Sequence, residues 1–229
     1  AGGINVNPVL GIVPYGPEEL SNYELGMRSD WLDGNLRLNA TAFDSTTPRV
    51  SISYDWRDNL MVYASYAEGF GAGGINVNPV LGVVPYGPEE LSNYEIGMRS
   101  DWWDGKLRLN ATAFDSKWEG IQLSQAPPDP NNPGLSIPNP IIVNAAAADA
   151  SGIEVETQWS IGEAWRIDAS VRFLDTAYTN PGDATQIQPN TPFAYAPEQS
   201  YSIGVQYTAS LASSGRLVSR LDYGWMDDY

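Results

Sequence analysis

Apolar and polar residues alternate with a period of two along most of the chain. In 50–56, Val50, Ile52, Tyr54 and Trp56 are interleaved with Ser51, Ser53 and Asp55. Leu107, Leu109, Ala111 and Ala113 lie opposite Arg108, Asn110 and Thr112, and Ile153, Val155 and Trp159 opposite Glu154, Glu156 and Gln158. Trp165, Ile167, Ala169, Val171 and Phe173 alternate with Arg166, Asp168, Ser170 and Arg172. Tyr201, Ile203, Val205 and Tyr207 repeat the pattern, as do Leu217, Leu221, Tyr223 and Trp225 against Arg220 and Asp222. Successive side chains of a strand point to opposite faces, so this period predicts strands apolar on one face and polar on the other. Strands are expected near 18–31, 36–45, 49–57, 59–68, 89–102, 106–123, 142–160, 164–177, 195–209 and 215–227. No segment sustains a helical period. The fold class is all-β, an antiparallel meander of about ten strands.

The connections alternate in length. Asp33-Gly34, Arg57-Asp58, Asp104-Gly105, Ile161-Gly162-Glu163 and Ser213-Ser214-Gly215 read as tight turns, Asp-Gly because hairpin turns need positive φ at both central positions. Between them lie long Gly-, Pro- and Asn-rich loops near 69–88, 124–141 and 178–194. Short turns at one end and long loops at the other suit part of a transmembrane β-barrel. A soluble or surface-displayed β-sandwich, acting as a binding or adhesin module, is the alternative. The polar side would face a wet lumen in the barrel and bulk water in the sandwich. Tryptophans near strand ends favour the barrel, where rings with one polar edge sit at the membrane interface. Trp56, Trp102, Trp103, Trp159 and Trp165, at the tight-turn end, are the candidate interface aromatics.

A repeat runs through the first half. Residues 1–45 and 72–116 align without a gap at an offset of 71 and differ only at Ile12/Val83, Leu25/Ile96, Leu32/Trp103 and Asn35/Lys106. True solenoid repeats drift further than this. The repeats part after Ser45 and Ser116. Thr46-Thr47-Pro48 turns at once into a new strand, whereas Lys117-Trp118-Glu119 runs on toward a long loop.

Composition narrows the function. The 229 residues carry 28 acidic and 12 basic side chains, a net charge of −16. With two lysines and a pI near 4.1, nothing here neutralises a phosphate backbone, so no nucleic-acid partner is expected. The absence of cysteine and histidine removes disulfides, thiol catalysis and imidazole-based triads. No enzyme activity, catalytic residue, cofactor or metal site is therefore expected. The pairs Glu18/Glu19 and Glu89/Glu90 precede strands and read as solvated loop ends. Asp129-Pro130-Asn131-Asn132-Pro133-Gly134 offers oxygens to calcium without the spacing of a known loop, and an ordinary turn is the simpler reading. Gly69, Gly71, Gly73 and Gly74 precede no helix, which disfavours phosphate cradling. Mean hydropathy is −0.29, and no apolar run is long enough for a transmembrane helix.

Several segments resemble one known family. Tyr63-Ala64-Ser65-Tyr66-Ala67-Glu68-Gly69-Phe70 running on to Asn76 is similar to the strand-and-loop signature in the barrel of TonB-dependent outer-membrane receptors. Pro88-Glu89-Glu90-Leu91-Ser92-Asn93-Tyr94-Glu95-Ile96-Gly97-Met98-Arg99 resembles that family's next strand, and Asp104-Gly105-Lys106-Leu107 onward continues it. Asn144-Ala145, Ser151-Gly152-Ile153-Glu154-Val155-Glu156, Ala196-Pro197-Glu198 and Thr47-Pro48-Arg49-Val50 also fit. The resemblance covers nearly all of 47–229. It implies a segment of a barrel that in the family has about 22 strands, placed in the outer membrane of a Gram-negative bacterium. It implies energised uptake of a scarce ligand such as a ferric siderophore. Outer-membrane lipid and that small ligand are the expected partners, with the TonB energy-coupling complex reached through a plug this chain does not show. Residues 1–46 are then a duplicated strand pair copying 72–116, and 47–229 a receptor-like barrel segment without a plug domain, not expected to transport alone. Tyr86, Trp118 and Tyr178, in or beside long loops, are the candidate ligand aromatics. Ten strands close into a small barrel or remain a curved open sheet, and the open sheet is favoured.

Overall fold

The computed structural model describes residues 3–7, 11–15, 24–43, 47–132, 134–144, 147–180, 190, 192–211 and 215–228. The alternating runs become strands. A small hairpin of β1 (Gly3–Asn7) and β2 (Gly11–Tyr15) is followed by β3 (Glu24–Trp31), β4 (Leu36–Phe43), β5 (Arg49–Arg57) and β6 (Leu60–Gly71). A second hairpin, β7 (Gly74–Asn78) and β8 (Gly82–Tyr86), leads to β9 (Glu89–Trp102) and β10 (Leu107–Glu119). A third, β11 (Gln122–Gln125) and β12 (Ile141–Asn144), precedes β13 (Ala147–Ile161), β14 (Trp165–Asn180), β15 (Gln199–Ser210) and β16 (Arg216–Met226). Ten of these form one antiparallel sheet in the order β3-β4-β5-β6-β9-β10-β13-β14-β15-β16, a meander in chain order interrupted only by the small hairpins. Among the described residues the sheet is open, with β3 and β16 at its edges.

Boundaries differ from the sequence reading where backbone geometry intervenes. The strand expected over 106–123 ends at Glu119, because Gly120 takes φ +65° and sends Gln122–Gln125 off to pair with β12. The strand expected over 142–160 is split, with β12 outside the main sheet and β13 inside it. The strand expected from 195 starts at Gln199, after Tyr195 at φ +61° and Pro197, which has no ladder donor. The Asp-Gly turns are longer than two residues. Leu32–Asn35 join Trp31 to Leu36, with Leu32, Asp33 and Gly34 all at positive φ, and Trp103, Asp104 and Gly105 repeat this conformation. The early part of the strand expected over 18–31 (18–23) and the end of that expected over 36–45 (44–45) lie outside the described residues.

Register sorts the faces. One row of paired residues crosses all ten strands as Trp225, Tyr201, Val171, Val155, Ala111, Met98, Val62, Tyr54, Leu36 and Trp31. Every member is apolar or aromatic. The row one residue along reads Gly224, Ser202, Ser170, Glu156, Asn110, Arg99, Met61 and Asp55. The apolar face is uncovered. Ile153 is 51% exposed, Ile203 41% and Leu221 75%, and the buried apolar residues among those described are Ile137, Ile141, Ala148 and Ala150. The chain exposes 15885 Å², against roughly 10,200 Å² expected of a compact monomer of 24.9 kDa. A β-sandwich hides its apolar face against a second sheet. Among the described residues no such layer exists, and the sandwich alternative fails on that point.

Candidate functional site

The polar face carries a chain of cross-strand contacts. On β9, Gly97 leaves room for the Tyr63 ring from β6; a Cβ at Gly97 would lie 2.6 Å from the Tyr63 Cζ and Oη. Lying across that gap, the Tyr63 hydroxyl donates to Glu95 Oε1 at 2.5 Å and meets Thr112 Oγ1 of β10 at 2.9 Å. The Arg99 guanidinium sits 5.7 Å from the centre of the same ring, a distance at which a cation is held by the ring face. Gly204 does the equivalent job on β15. A Cβ there would strike Arg220 Nη2 and come within 2.5 Å of Asp222 Oδ1. With no side chain in the way, Arg220 of β16 reaches over β15 to donate to Asp168 Oδ2 of β14 at 2.8 Å. Asp168 Oδ1 also accepts from Gln158 at 3.0 Å and Arg166 at 3.1 Å. Arg108 pairs with Asp101 at 3.0 Å, and Arg37 bridges Asp30 and Asp55 at 3.8 and 3.6 Å. A concavity of about 420 Å³ opens on this face, lined by Arg108, Asn110, Glu156, Asp168, Arg220 and Asp222 among others.

Toward the long-loop end the polar face turns aromatic. Trp118 and Tyr178 come together around Phe193, whose ring lies 5.9 Å from Trp118 and 4.8 Å from Tyr178. Phe193 is fixed by its amide, which donates to Thr176 Oγ1 at 3.0 Å. The sequence reading missed Phe193; its signal is an aromatic directly after Pro192, in a stretch without alternation. Tyr86, the third candidate, instead packs over Gly74 of its own hairpin. The two hairpins inserted in the loops are tied by amide side chains, also missed. Asn76 accepts from the Ile142 amide at 2.8 Å and donates to the Ile142 carbonyl at 2.7 Å, adding one more rung between β7 and β12. Asn144 accepts from Gly87 N and donates to the carbonyls of Gly87, Pro88 and Gly120. The Gln122 side chain donates to Ala72 O at 2.9 Å and to Gly87 O at 3.1 Å, and its backbone N–H donates to Glu89 Oε2 at 3.0 Å.

The tight-turn end carries the interface candidates, all on or beside the apolar face. Trp102 and Trp159 both pair with Leu107, and the Trp103 ring lies 6.0 Å from that of Trp159. The Trp165 ring lies 4.6 Å from that of Tyr207, tilted by 45°, and Trp56 meets Tyr54 edge-on at 6.3 Å. All five are substantially exposed, from 36% at Trp102 to 63% at Trp56. At the other end Tyr66 and Tyr94 sit 4.8 Å apart, and Tyr201 stacks on Trp225 at 5.2 Å. Asp129 closes its own turn, accepting from Asn131 N at 2.8 Å and Asn132 Nδ2 at 2.7 Å. Those donors, led by the Asn132 side chain, hold its pKa below the ordinary value. Among the described residues no group of acidic side chains is arranged to hold a metal ion.

Residues 43–228 match the family described as TonB dependent receptor-like, beta-barrel. The pesticin receptor of Yersinia pestis is 28% identical over 142 residues, covering 61% of this chain and 20% of the receptor. The ferric-pyoverdine M114 receptor of Pseudomonas sp. strain M114 is 27% identical over 154 residues, covering 64% of this chain and 17% of the receptor. The chain thus spans about a fifth of the curated relatives it matches. Among solved structures, the ferric yersiniabactin uptake receptor of Yersinia pestis superposes with a TM-score of 0.63 at 21% identity, over 90% of this chain and 29% of that one. The ferric preacinetobactin receptor of Acinetobacter baumannii gives 0.67 at 17% identity, over 96% and 35%. These two likenesses are likenesses of fold.

Proposed function

The chain belongs to the TonB dependent receptor-like β-barrel family, and from that premise we propose that it forms part of the wall of an outer-membrane receptor for ferric siderophores, acting in uptake and not in catalysis. Residues 47–229 supply the receptor wall, and 1–46 a second use of the strand pair at 72–116. One observation carries the reading: the register places an unbroken apolar row on one face of ten strands and a network of ion pairs on the other. Lipid takes the first face and a water-filled lumen the second. Trp56, Trp102, Trp103, Trp159 and Trp165 lie at the level of the lipid headgroups on the tight-turn side. Trp118 and Tyr178, with Phe193 between them, face the approaching ligand, where flat rings stack on a siderophore's aromatic or planar groups. Tyr86, on its hairpin, borders the same entrance. Energy coupling through TonB is a property of the complete receptor and enters through its plug.

Detergent dependence tests the wall. The chain is expected to be monodisperse only in micelles or lipid, with sedimentation as the measurement. A monodisperse detergent-free species would sink the proposal. In micelles, ferric-pyoverdine used as a probe should quench the fluorescence of the chain, less so after Trp118→Phe. Equal quenching in both would remove Trp118 from the entrance.

A further inference from the structure

Two hairpins at the long-loop end bend at joints that meet each other. The pairing of β6 with β9 ends at Gly71↔Glu89 and resumes between β7 and β8 at Gly74↔Tyr86, in an unbroken register. β10 and β13 pair as far as Trp118↔Ala148, and β11 and β12 carry the same register on from Gln122↔Asn144. Each small hairpin is thus the far end of a long one, set off from it by a joint. Ala72-Gly73 and Gly87-Pro88 form the first joint, and Gly120-Ile121 one side of the second. Backbone groups released from a ladder need other partners. The second hairpin supplies them to the first. Gln122 and Asn144 stand opposite each other in the first rung above their joint, and both reach across. The Gln122 side chain donates to the carbonyls of Ala72 and Gly87. The Asn144 side chain donates to those of Gly87 and Pro88, accepts from the Gly87 N–H, and donates at 2.7 Å to Gly120 O of its own joint. The main chains touch at the same place. Gly120 takes φ +65°, and a Cβ on it would lie 2.7 Å from Pro88 O. Farther out, Asn76 binds both backbone groups of Ile142, and the buried Asn78 donates to Asn139 O at 3.1 Å.

We propose that β7–β8 and β11–β12 form and open as one cooperative unit, a two-armed flap whose clasp is the Gln122–Asn144 rung. A lone two-stranded hairpin is at best marginally stable in water, and each arm is a two-stranded sheet apart from the main one. Each arm therefore keeps its shape through the amide contacts of the other. If the second arm swings away, the carbonyls of Ala72, Gly87 and Pro88 lose their donors. If the first swings away, the Ile142 backbone and Gly120 are left facing displaced partners. Leaving such groups unpaired costs more than the contacts are worth singly, so the arms let go together. The clasp also lies next to the ring cluster, because Gly120 is two residues from Trp118. A rim of independent loops opens piecemeal, whereas arms on one clasp open this entrance in a single step, whatever the receptor imports. The first repeat supplies an internal contrast. Its hairpin β1–β2 has Asn5 and Asn7 where β7 has Asn76 and Asn78, yet the chain turns at Thr46-Thr47-Pro48 before any counterpart of Gln122 or Asn144. It is the same hairpin without the clasp.

Hydrogen exchange of the full chain in micelles, read by mass spectrometry, tests the flap. Segments 3–15 and 74–86 differ only at Ile12/Val83, so their masses separate the two hairpins within one sample. Asn144→Ala, a change on the second arm, should speed exchange at least about tenfold, the worth of one or two hydrogen bonds. The rise should appear over 74–86 and over 122–144 by the same factor, because both segments exchange through one opening. Asn76→Ala, a change on the first arm, should likewise speed both segments by a common factor. Neither substitution should alter 3–15, the hairpin without the clasp, or β14 in the wall. Faster exchange confined to the arm that carries the substitution would show two independent loops and overturn the proposal. So would unequal factors in the two arms, or no change in either. A rise that extends equally to 3–15 or to β14 would place the effect in the whole chain and overturn the clasp.

Discussion

Two glycines organise the polar face because of what they leave out. Gly97 admits a ring from one neighbouring strand, and Gly204 lets a guanidinium pass over a strand to reach its acid. The resulting hub at Asp168 accepts from Gln158, Arg166 and Arg220, drawn from three strands. Asp101 accepts from Arg108 alone among the described contacts. The ion pairs are partly exposed, with side-chain exposures of 28% at Asp168 and 39% at Arg220, so each is screened and worth little in isolation. Their sum at one carboxylate is a different matter. Asp168→Asn should lower stability by about 1 kcal/mol more than Asp101→Asn, because it weakens three charge-assisted contacts and leaves Arg220 facing a neutral group. Chemical denaturation in micelles measures the difference, and equal effects of the two substitutions would show that the hub carries no special weight. None of this was legible from sequence beyond the presence of acids and bases on one side of the strands. Alternation reveals which face a residue occupies, but a contact that skips a strand depends on a missing Cβ on the strand between the partners.

Strands were far more legible than the segments between them. β5 and β9 run over the residues that alternation marks, Arg49–Arg57 and Glu89–Trp102, because period two fixes both the extended backbone and the face it buries. The hairpin β7–β8 was hidden inside the stretch read as the loop 69–88, whereas β11 and β12 were read in part as the ends of the longer strands 106–123 and 142–160. Pro85 sits within β8, and prolines argue against a strand unless it lies at an edge, as β8 does in a two-stranded unit. What holds these hairpins is the side-chain chemistry of Asn76, Asn144 and Gln122, which alternation does not register. The Trp118–Phe193–Tyr178 cluster was half legible, since two of its rings ended long strands and the third lay in a proline-flanked turn. One loop carries its own titration. The Asp129 carboxylate is held by Asn132 and Asn131, and its pKa is lowered from 3.8. A lowered value in the folded turn means that ionisation stabilises the turn at pH above 3.8, and that the stabilisation fades as pH falls through the lowered value. The protection factors of the Asn131 and Asn132 amides, their exchange rates referred to an unstructured chain at the same pH, should therefore be greatest near neutrality and fall at acid pH. Asp129→Asn should flatten that dependence, and a persistent acid-dependent fall in this variant would assign the titration to another group.

At the scale of the whole molecule, the decisive fact is how much apolar surface the sheet leaves uncovered. Soluble monomers seldom expose contiguous apolar patches beyond a few hundred Å², whereas here an apolar row crosses all ten strands. Along β13 the apolar band runs from Ile153 to Ile161, eight steps or about 26 Å at roughly 3.3 Å per residue. That length suits the apolar belt of a tilted membrane strand. Polar residues bound the band on the long-loop side, where Asp115 pairs with Ser151 and Ser151 with Asp175. Aromatic rings bound it on the tight-turn side. The medium on each face can be tested with two neighbouring positions on one strand. Ile203 pairs with Ala169 and Tyr223 in the middle of the apolar band, and Ser202 pairs with Ser170 and Gly224 on the polar face. In lipid vesicles, Ile203→Arg should destabilise the chain by about 2–4 kcal/mol, the cost of placing arginine near the bilayer midplane. Ser202→Arg should cost no more than about 1 kcal/mol, the value of its hydrogen bond with Ser170. The same pair compared in detergent-free urea would show little difference if both faces met water. Equal penalties in vesicles would mean that lipid does not contact the apolar face, and the receptor-wall reading would fall with it.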